Sequence, residues 1–176
     1  MAIIKYKKIK STNLKAKQLG KNGVKPWTVV LADSQIGGYG RKGERWFSPK
    51  GGLYFSIILP KTNIEDAQIL TILAAFVVAR VIKENFQNIE PLIKLPNDVL
   101  IKDKKVCGIL TENIIGEDVK LSVMGIGLNT NISAFPKELK NQATSIKIEE
   151  GKNISNKKIL NQILKLIKEY FQSISV

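Results

Sequence analysis

The stretch from Ile93 to Leu128 leaves little freedom in the choice of fold. Apolar runs at Ile93 to Leu95, Val99 to Ile101, Val106 to Ile115 and Val119 to Leu128 are separated by the turn-forming stretches Pro96-Asn97-Asp98, Lys102-Asp103-Lys104-Lys105 and Gly116-Glu117-Asp118. Connections this short cannot hold a crossover helix, so the runs predict an antiparallel meander. Upstream, Ile3 to Ile9 reads as an edge strand, Thr28 to Asp33 as a short buried strand, and Leu53 to Leu59 as an alternating strand stopped by Pro60. Helices are expected after Ser11-Thr12-Asn13, where Gly20 and Gly23 would end the first, and from a cap near Asn63 to Phe86. That second helix is apolar almost all round and is expected in the core. A last helix after Ser155 repeats Ile159, Leu160, Ile163, Leu164, Ile167 and Phe171 on one face, as a lid on the sheet would. Strands and helices do not strictly alternate, which predicts an α+β domain with a mixed, largely antiparallel sheet rather than a doubly wound parallel one. The 176 residues are expected to form one domain, residues 1–176, burying roughly two-thirds of the unfolded surface.

Between the second and third strands lies Gln35 to Pro49, with glycines at Gly37, Gly38, Gly40 and Gly43 and cations at Arg41, Lys42 and Arg45. Glycines admit close approach and positive φ, and the cations suit an anion, so the loop is expected to wrap a negatively charged ligand. Gly38 to Gly43 matches the G-x-G-x-x-G dinucleotide fingerprint. The match fails in context, because the last glycine would have to open a helix and Ser48-Pro49-Lys50-Gly51-Gly52 follows instead. The Walker pattern is absent. A solvated basic loop is the alternative, although such a loop rarely needs an indole like Trp46.

Composition removes several chemistries. With no histidine and one cysteine, Cys107, the chain has no internal disulfide, no all-cysteine or histidine metal site and no Ser-His catalysis. Cys107 fits a small core hydrophobe. Charge arrives after two aliphatic residues at the amino terminus, which is neither a signal peptide nor a membrane anchor, so a cytoplasmic location is expected. The net charge of +13 comes mostly from lysines scattered along the whole chain. Solvated surface explains them first, an acidic protein partner second and nucleic acid third, since aromatics are not interleaved with them.

Further polar clusters stand at strand ends. Lys94, Asn97 and Asp98 surround a proline-fixed turn, with an Asx-turn and surface lysines as the plain explanation, and Lys105 opens the next strand. Gly108 marks a place where a ligand or another backbone comes close. Gly125-Ile126-Gly127-Leu128-Asn129 puts glycines in a strand that ends in an amide, as a bulge would. Ser11-Thr12-Asn13 suits a helix cap, or hydroxyls turned to a polar ligand.

In this order the clusters resemble the biotin-protein ligases. The resemblance is carried by S-T-N at Ser11, Q-x-x-G-x-G-R-x-G-x-x-W-x-S-P from Gln35, K-x-P-N-D at Lys94, K-K-x-x-G-I-L-x-E ending at Glu112, G-I-G-x-N at Gly125 and A-T-S-I at Ala143. It implies a class II synthetase-like catalytic domain that joins biotin to ATP as biotinyl-5′-AMP, with magnesium on the phosphates. The biotinyl group then passes to a lysine of a biotin carboxyl carrier protein domain. It also implies that Arg41 and Lys105 are catalytic, and that Ser11, Thr12, Asn13, Gln35, Gly38, Tyr39, Gly40, Trp46 and Gly108 join them around biotin and its adenylate. Lys94, Asn97, Asp98 and Asn129 are implied on the nucleotide side, with no side-chain cage for a metal. Lipoyl and octanoyl transferases, the related group, carry a histidine that this chain lacks.

Against the family pattern, Tyr39 and Glu44 stand where arginines are usual and Leu95 where a tryptophan is. Those departures imply a weaker hold on the intermediate, and a catalytically weakened homologue that binds biotin or its adenylate is the alternative. The amino-terminal helix-turn-helix and small carboxyl-terminal β-domain of the repressor-type members are expected to be missing, so no specific DNA partner follows. Neither membrane binding nor a fixed oligomeric state is implied, and a homodimer is compatible with the sequence.

Overall fold

A computed structural model describes residues 1–60, 66–115 and 120–174. The chain forms strand β1 (Ile3–Tyr6), helix α1 (Thr12–Lys21), strands β2 (Val29–Ala32) and β3 (Leu53–Leu59), and helix α2 (Asp66–Asn85). The predicted meander follows as β4 (Pro91–Lys94), β5 (Asp98–Ile101), β6 (Lys104–Ile115) and β7 (Lys120–Leu128), then helices α3 (Ile146–Glu150) and α4 (Asn156–Ile174). The expected cap near Asn63 and the turn at Gly116-Glu117-Asp118 lie outside the described residues. Together the strands make a seven-stranded sheet in the order β1-β2-β3-β7-β6-β5-β4. Only β1 and β2, joined through α1, run parallel, so the sheet is mixed and largely antiparallel.

Alternation along the strands divides the core between the two faces. Val29, Phe55, Ile57 and Met124 face α2, whereas Val30, Ile58 and Val123 face α1 through Ala16. Strand β3 is therefore buried at all seven positions rather than on one side. Helix α2 packs on β4, β5 and β6, and α4 packs mainly on α2 rather than directly on the sheet. Trp27, held at φ 64°, meets Phe171 of α4 edge-to-face with ring centroids 5.1 Å apart. Helix α2 is not apolar core all round, since Ile69, Ile72 and Phe76 remain exposed. Helix α1 continues through Gly20 to Lys21, and the left-handed residue beyond it is Gly23.

The helix starts are capped as their residues dictate. Ser11 Oγ accepts from Leu14 N–H, Ser145 Oγ from Ile148 N–H at 3.1 Å, and Ser155 Oγ from Lys158 N–H at 3.3 Å. Short helix α3 fixes the segment before it, because Thr144 Oγ1 donates to Glu149 Oε1 at 2.6 Å while Lys102 pairs with Glu149 Oε2 at 3.0 Å. Burial alone would raise the Glu149 carboxyl, but the Thr144 bond and the Lys102 and Lys104 charges outweigh it and hold it below its ordinary value. A carboxylate with a depressed folded-state pKa stabilises the fold above its unfolded pKa of about 4.3, and this contribution is lost as pH falls through the lower folded value. Glu149→Gln is expected to cost about 1 kcal/mol at pH 7 in urea unfolding, with the gap to wild type closing below about pH 4. A gap that stays constant down to pH 3 would show that the charge contributes nothing.

Candidate active site

Bare backbone forms the floor of the site. Strands β6 and β7 pair without interruption, Gly108 opposite Gly127 and Leu110 opposite Gly125, so the glycines in β7 are not a bulge. They admit close neighbours instead. A Cβ at Gly125 would overlap Asn13 Oδ1 and one at Gly127 would overlap Trp46 Nε1, while a Cβ at Gly108 would sit 3.2 Å from both Trp46 Cζ3 and Lys105 Cε. Above this floor is a cavity of about 400 Å³ that reaches from the start of α1 to the segment ending at Ala143. Arg41, Lys42, Arg45 and Lys105 line it against the carboxylates Glu44 and Asp98, so the lining carries net positive charge.

The α1 end is polar and preorganised. Gln35 Oε1 accepts from the Thr12 N–H at 2.7 Å and the Thr12 hydroxyl at 3.1 Å, and Gln35 Nε2 donates to Ser48 Oγ at 3.0 Å. One glutamine thus joins both ends of the loop to the helix start. Asn13 donates to Glu112 Oε2 at 2.8 Å and accepts from Ser56 Oγ at 2.5 Å, directly over Gly125. Ser11, Thr12 and Asn13 are all buried, which is costly for such groups unless each is satisfied.

A bulge places the cation in the middle. Pairing of β5 with β6 shifts between Val99 and Leu100, so that Val99 faces Cys107 and Leu100 faces Lys105 with Val106 extra. Val106 and Cys107 consequently both enter the core, and Lys105 turns to the cavity beside Gly108 instead of following Cys107 inward. Its ammonium lies 2.7 Å from Asp98 Oδ1 and 5.4 Å from the centre of the Trp46 ring. Cys107 is fully buried and its thiol is pushed far up by burial, which rules it out as a nucleophile. Arg41 approaches from the loop, with Nη1 3.3 Å from Asn97 Oδ1.

The loop is held largely by its own bonds. Gln35 N–H donates to Ser48 O at 3.0 Å, Trp46 N–H to Gly38 O at 2.9 Å and Gly40 N–H to Glu44 O at 2.8 Å. Within it, the left-handed positions are Lys42 and Gly43 alone, with φ of 58° and 76°. Gly37 and Gly38 serve space, since a Cβ would sit 3.1 Å from Lys10 Cγ or 2.8 Å from Ser48 Oγ, whereas one at Gly40 would make only an ordinary contact at 3.8 Å. At the opposite end of the cavity, Lys105 N–H donates to Gln142 O and Thr144 N–H to Lys105 O, so residues 142–144 are zipped to the backbone that carries the cation. Asn129 Nδ2 donates to Thr144 O at 3.0 Å, which leaves its buried Oδ1 without a partner among the described residues, as is the buried Trp46 Nε1. The Asn129 oxygen is a group a ligand could satisfy, whereas the Trp46 N–H lies against the backbone at Gly127.

Of the predicted site residues, all but Gly38 and Lys94 line this one cavity. Gly38 lies behind it as a packing position. Lys94 is exposed on edge strand β4, paired with Asp98 through the backbone, and does not reach the cavity. Sequence reasoning missed the roles of Lys17 and Glu112 as a buttress under Asn13, and the wall made by Phe135, Leu139 and Gln142. Glu112 stood in a quoted motif without an assigned task, and nothing local marks Phe135 or Leu139. Among the described residues there is no group of three or more histidine, cysteine or acidic side chains that could hold a metal.

A model of the Biotin/lipoate A/B protein ligase family matches residues 5–129, which carry the loop, the glycine floor and Asn129. The chain belongs to this family. It is similar to the bifunctional ligase/repressor BirA of Bacillus spizizenii, 40% identical over 161 residues that make up 89% of this chain and 49% of that protein. The biotin--[acetyl-CoA-carboxylase] ligase of Paracoccus denitrificans is 35% identical over 128 residues, 72% of this chain and 52% of that one. The chain thus spans about half the length of these curated relatives. Among solved structures, the biotin protein ligase from Aquifex aeolicus in complex with biotin and ATP is 34% identical with a TM-score of 0.84, over 96% of this chain and 69% of that one. Within this ligase family the departure at Leu95 is peripheral here, since the side chain is exposed and outside the cavity. Glu44 and Tyr39 do line it.

Because the floor tolerates no Cβ, Gly127→Ala is expected to push the Trp46 indole off the sheet, destabilise the domain by about 1–3 kcal/mol and move tryptophan emission to longer wavelength. Unchanged emission with unchanged thermal stability would mean that the indole does not rest on Gly127.

Proposed function

We propose that this chain is a biotin-protein ligase catalytic domain that joins biotin to ATP and passes the biotinyl group to a lysine of a biotin carboxyl carrier protein. The observation that carries this reading is the placing of Arg41 and Lys105 over a bare floor, between the polar pocket at Asn13 and the amide oxygen of Asn129, which has no partner among the described residues. The hydroxyls and amides of Ser11, Thr12, Asn13 and Gln35 suit a ureido ring, Trp46 and the glycine floor an alkyl chain, and the cations a carboxylate next to a phosphate. In the first step a biotin carboxylate oxygen bonds to the α-phosphorus and the bond to pyrophosphate breaks. The carboxylate and the phosphate repel each other, and fixed cations offset that repulsion as negative charge moves to the leaving group. In the second step the acceptor amine attacks the acyl carbon, AMP leaves and the amine loses a proton. Water must be excluded between the two, which the loop and Trp46 suit. Magnesium would be held by the ATP phosphates, which it would neutralise; the carboxylates that line the cavity are Glu44 and Asp98, and Asp98 is paired with Lys105. No described helix is long and apolar enough to cross a membrane. For the ligase reading we propose the cytoplasm as the place of the reaction.

A second reading, a weakened homologue that binds without transferring, is favoured by one observation: the Tyr39 hydroxyl is engaged by Glu112 and supplies no cation to a ligand. Exchange of labelled pyrophosphate into ATP in the presence of biotin separates the two, since a pure binder shows none.

If the ligase reading is right, Lys105→Ala lowers that exchange by about tenfold to a hundredfold, the equivalent of one charge-assisted hydrogen bond, with the far-UV spectrum unchanged. Full exchange in the variant would remove Lys105 from the reaction. The +13 surface should also steer an acidic carrier domain. Transfer to the carrier is then expected to slow as the Debye length contracts from about 10 Å at 0.1 M salt towards about 3 Å at 1 M, while exchange inside the cavity changes much less. A parallel fall of both rates would count against steering.

A further inference from the structure

We infer that Tyr39 latches the glycine loop: by donating to the Glu112 carboxylate it holds the loop against the domain and positions Arg41 and Trp46 over the cavity through protein contacts alone. Tyr39 Oη lies 2.9 Å from Glu112 Oε2, the same oxygen that accepts from Asn13 Nδ2 at 2.8 Å. The other carboxylate oxygen, Oε1, is 2.5 Å from Lys17 Nζ, which also lies 3.5 Å from the Tyr39 hydroxyl. Lys17 and Glu112 are each mostly buried, with side-chain exposures of 22% and 23%, so the bond forms where water competes poorly. Strand β6 thus offers one carboxylate to helix α1 and to the loop at once.

The latch has leverage because of where the loop is otherwise attached. At the base, Ile36 and Gly37 N–H groups donate to Ile9 and Lys10 carbonyls, and Gln35 bonds both Thr12 and Ser48. Beyond Tyr39, the loop tip meets the rest of the domain through the exposed contact of Arg41 with Asn97 at 3.3 Å and through the Trp46 ring, which lies on Gly127 with the Lys105 ammonium 5.4 Å from its centre. Removing the Tyr39 hydroxyl would leave the tip held by those contacts alone. Burial and the neighbouring Glu112 both keep the phenol protonated, as a donor must be. Asn13 depends on the same oxygen, so loop closure and the orientation of an amide at the polar end of the cavity are set together.

In its catalytic consequence the inference rests on the ligase reading, and Tyr39 acts there as a positioning residue. Its test begins without substrate. Tyr39→Phe keeps the ring and removes one hydroxyl, and trypsin cuts after the exposed Arg41, Lys42 and Arg45. Loop cleavage in the variant is expected on the order of tenfold faster than in wild type, the scale of one lost charge-assisted hydrogen bond. Equal loop cleavage overturns the latch, and so does an equal increase at bonds elsewhere, which would mean that the hydroxyl supports the whole domain. In pyrophosphate exchange the variant is expected to show a biotin KM several-fold higher with kcat changed less, because closure must then be driven by ligand binding. A drop in kcat alone would also overturn it. If neither protein exchanges pyrophosphate nor gains protection from biotin, while the difference in loop cleavage persists, the ligase reading fails and the latch stands.

Discussion

The site depends on bare backbone at the centre of the sheet. Any side chain at Gly125 or Gly127 would meet Asn13 or Trp46, and one at Gly108 would crowd Trp46 and Lys105. Because these positions carry no Cβ, the start of α1 and the indole can settle on the strands, and the cavity keeps a flat floor between them. The other face of the same strands is fully packed under α2, through Met124, Ile126, Cys107 and Ile109. The sheet is thus rigid on one side and stripped on the other, which suits a surface that must hold a ligand at fixed geometry.

Two features then bring charge to that floor. The extra residue at Val106 rotates Lys105 out of the core register, and backbone bonds from residues 142–144 hold it in place. Asp98, opposite Gly108 in the register, pairs with the Lys105 ammonium and keeps it over the glycine. Arg41 arrives by a different route, on a loop whose turn is made by Lys42 and Gly43. One cation is therefore built into the sheet and the other into a loop that lies over it.

Much of the fold was legible because its signals are local. Short turns impose antiparallel pairing on β4 to β7, serine caps mark α1 and α4, and proline and glycine forbid a helix after the loop, whereas the five-residue α3 is too short for a periodic signal. What the sequence leaves open is coverage, since periodicity reports a side chain's polarity and a glycine reports a missing Cβ, and neither says what lies against it. The alternation along β3 does not show that both of its faces are buried, the apolar run of α2 predicts an enclosed helix that in fact exposes Ile69 and Phe76, and the glycines of β7 predict a bulge where the pairing is continuous.

By itself the sequence determined the α+β class and the loop, since glycine, proline and cation spacing act through the backbone and need no partner to be recognised, while the resemblance to the biotin-protein ligases pointed to most of the members that line the cavity. Only the tertiary structure decided what those members do to one another. Glu112 gathers Asn13, Lys17 and Tyr39 from segments about a hundred residues away in the case of Asn13, a bulge turns Lys105 to the cavity, and Lys94 is left on an edge. Sheet register sets each of these outcomes: a shift of one residue reverses the face on which a side chain emerges, and no local pattern records it.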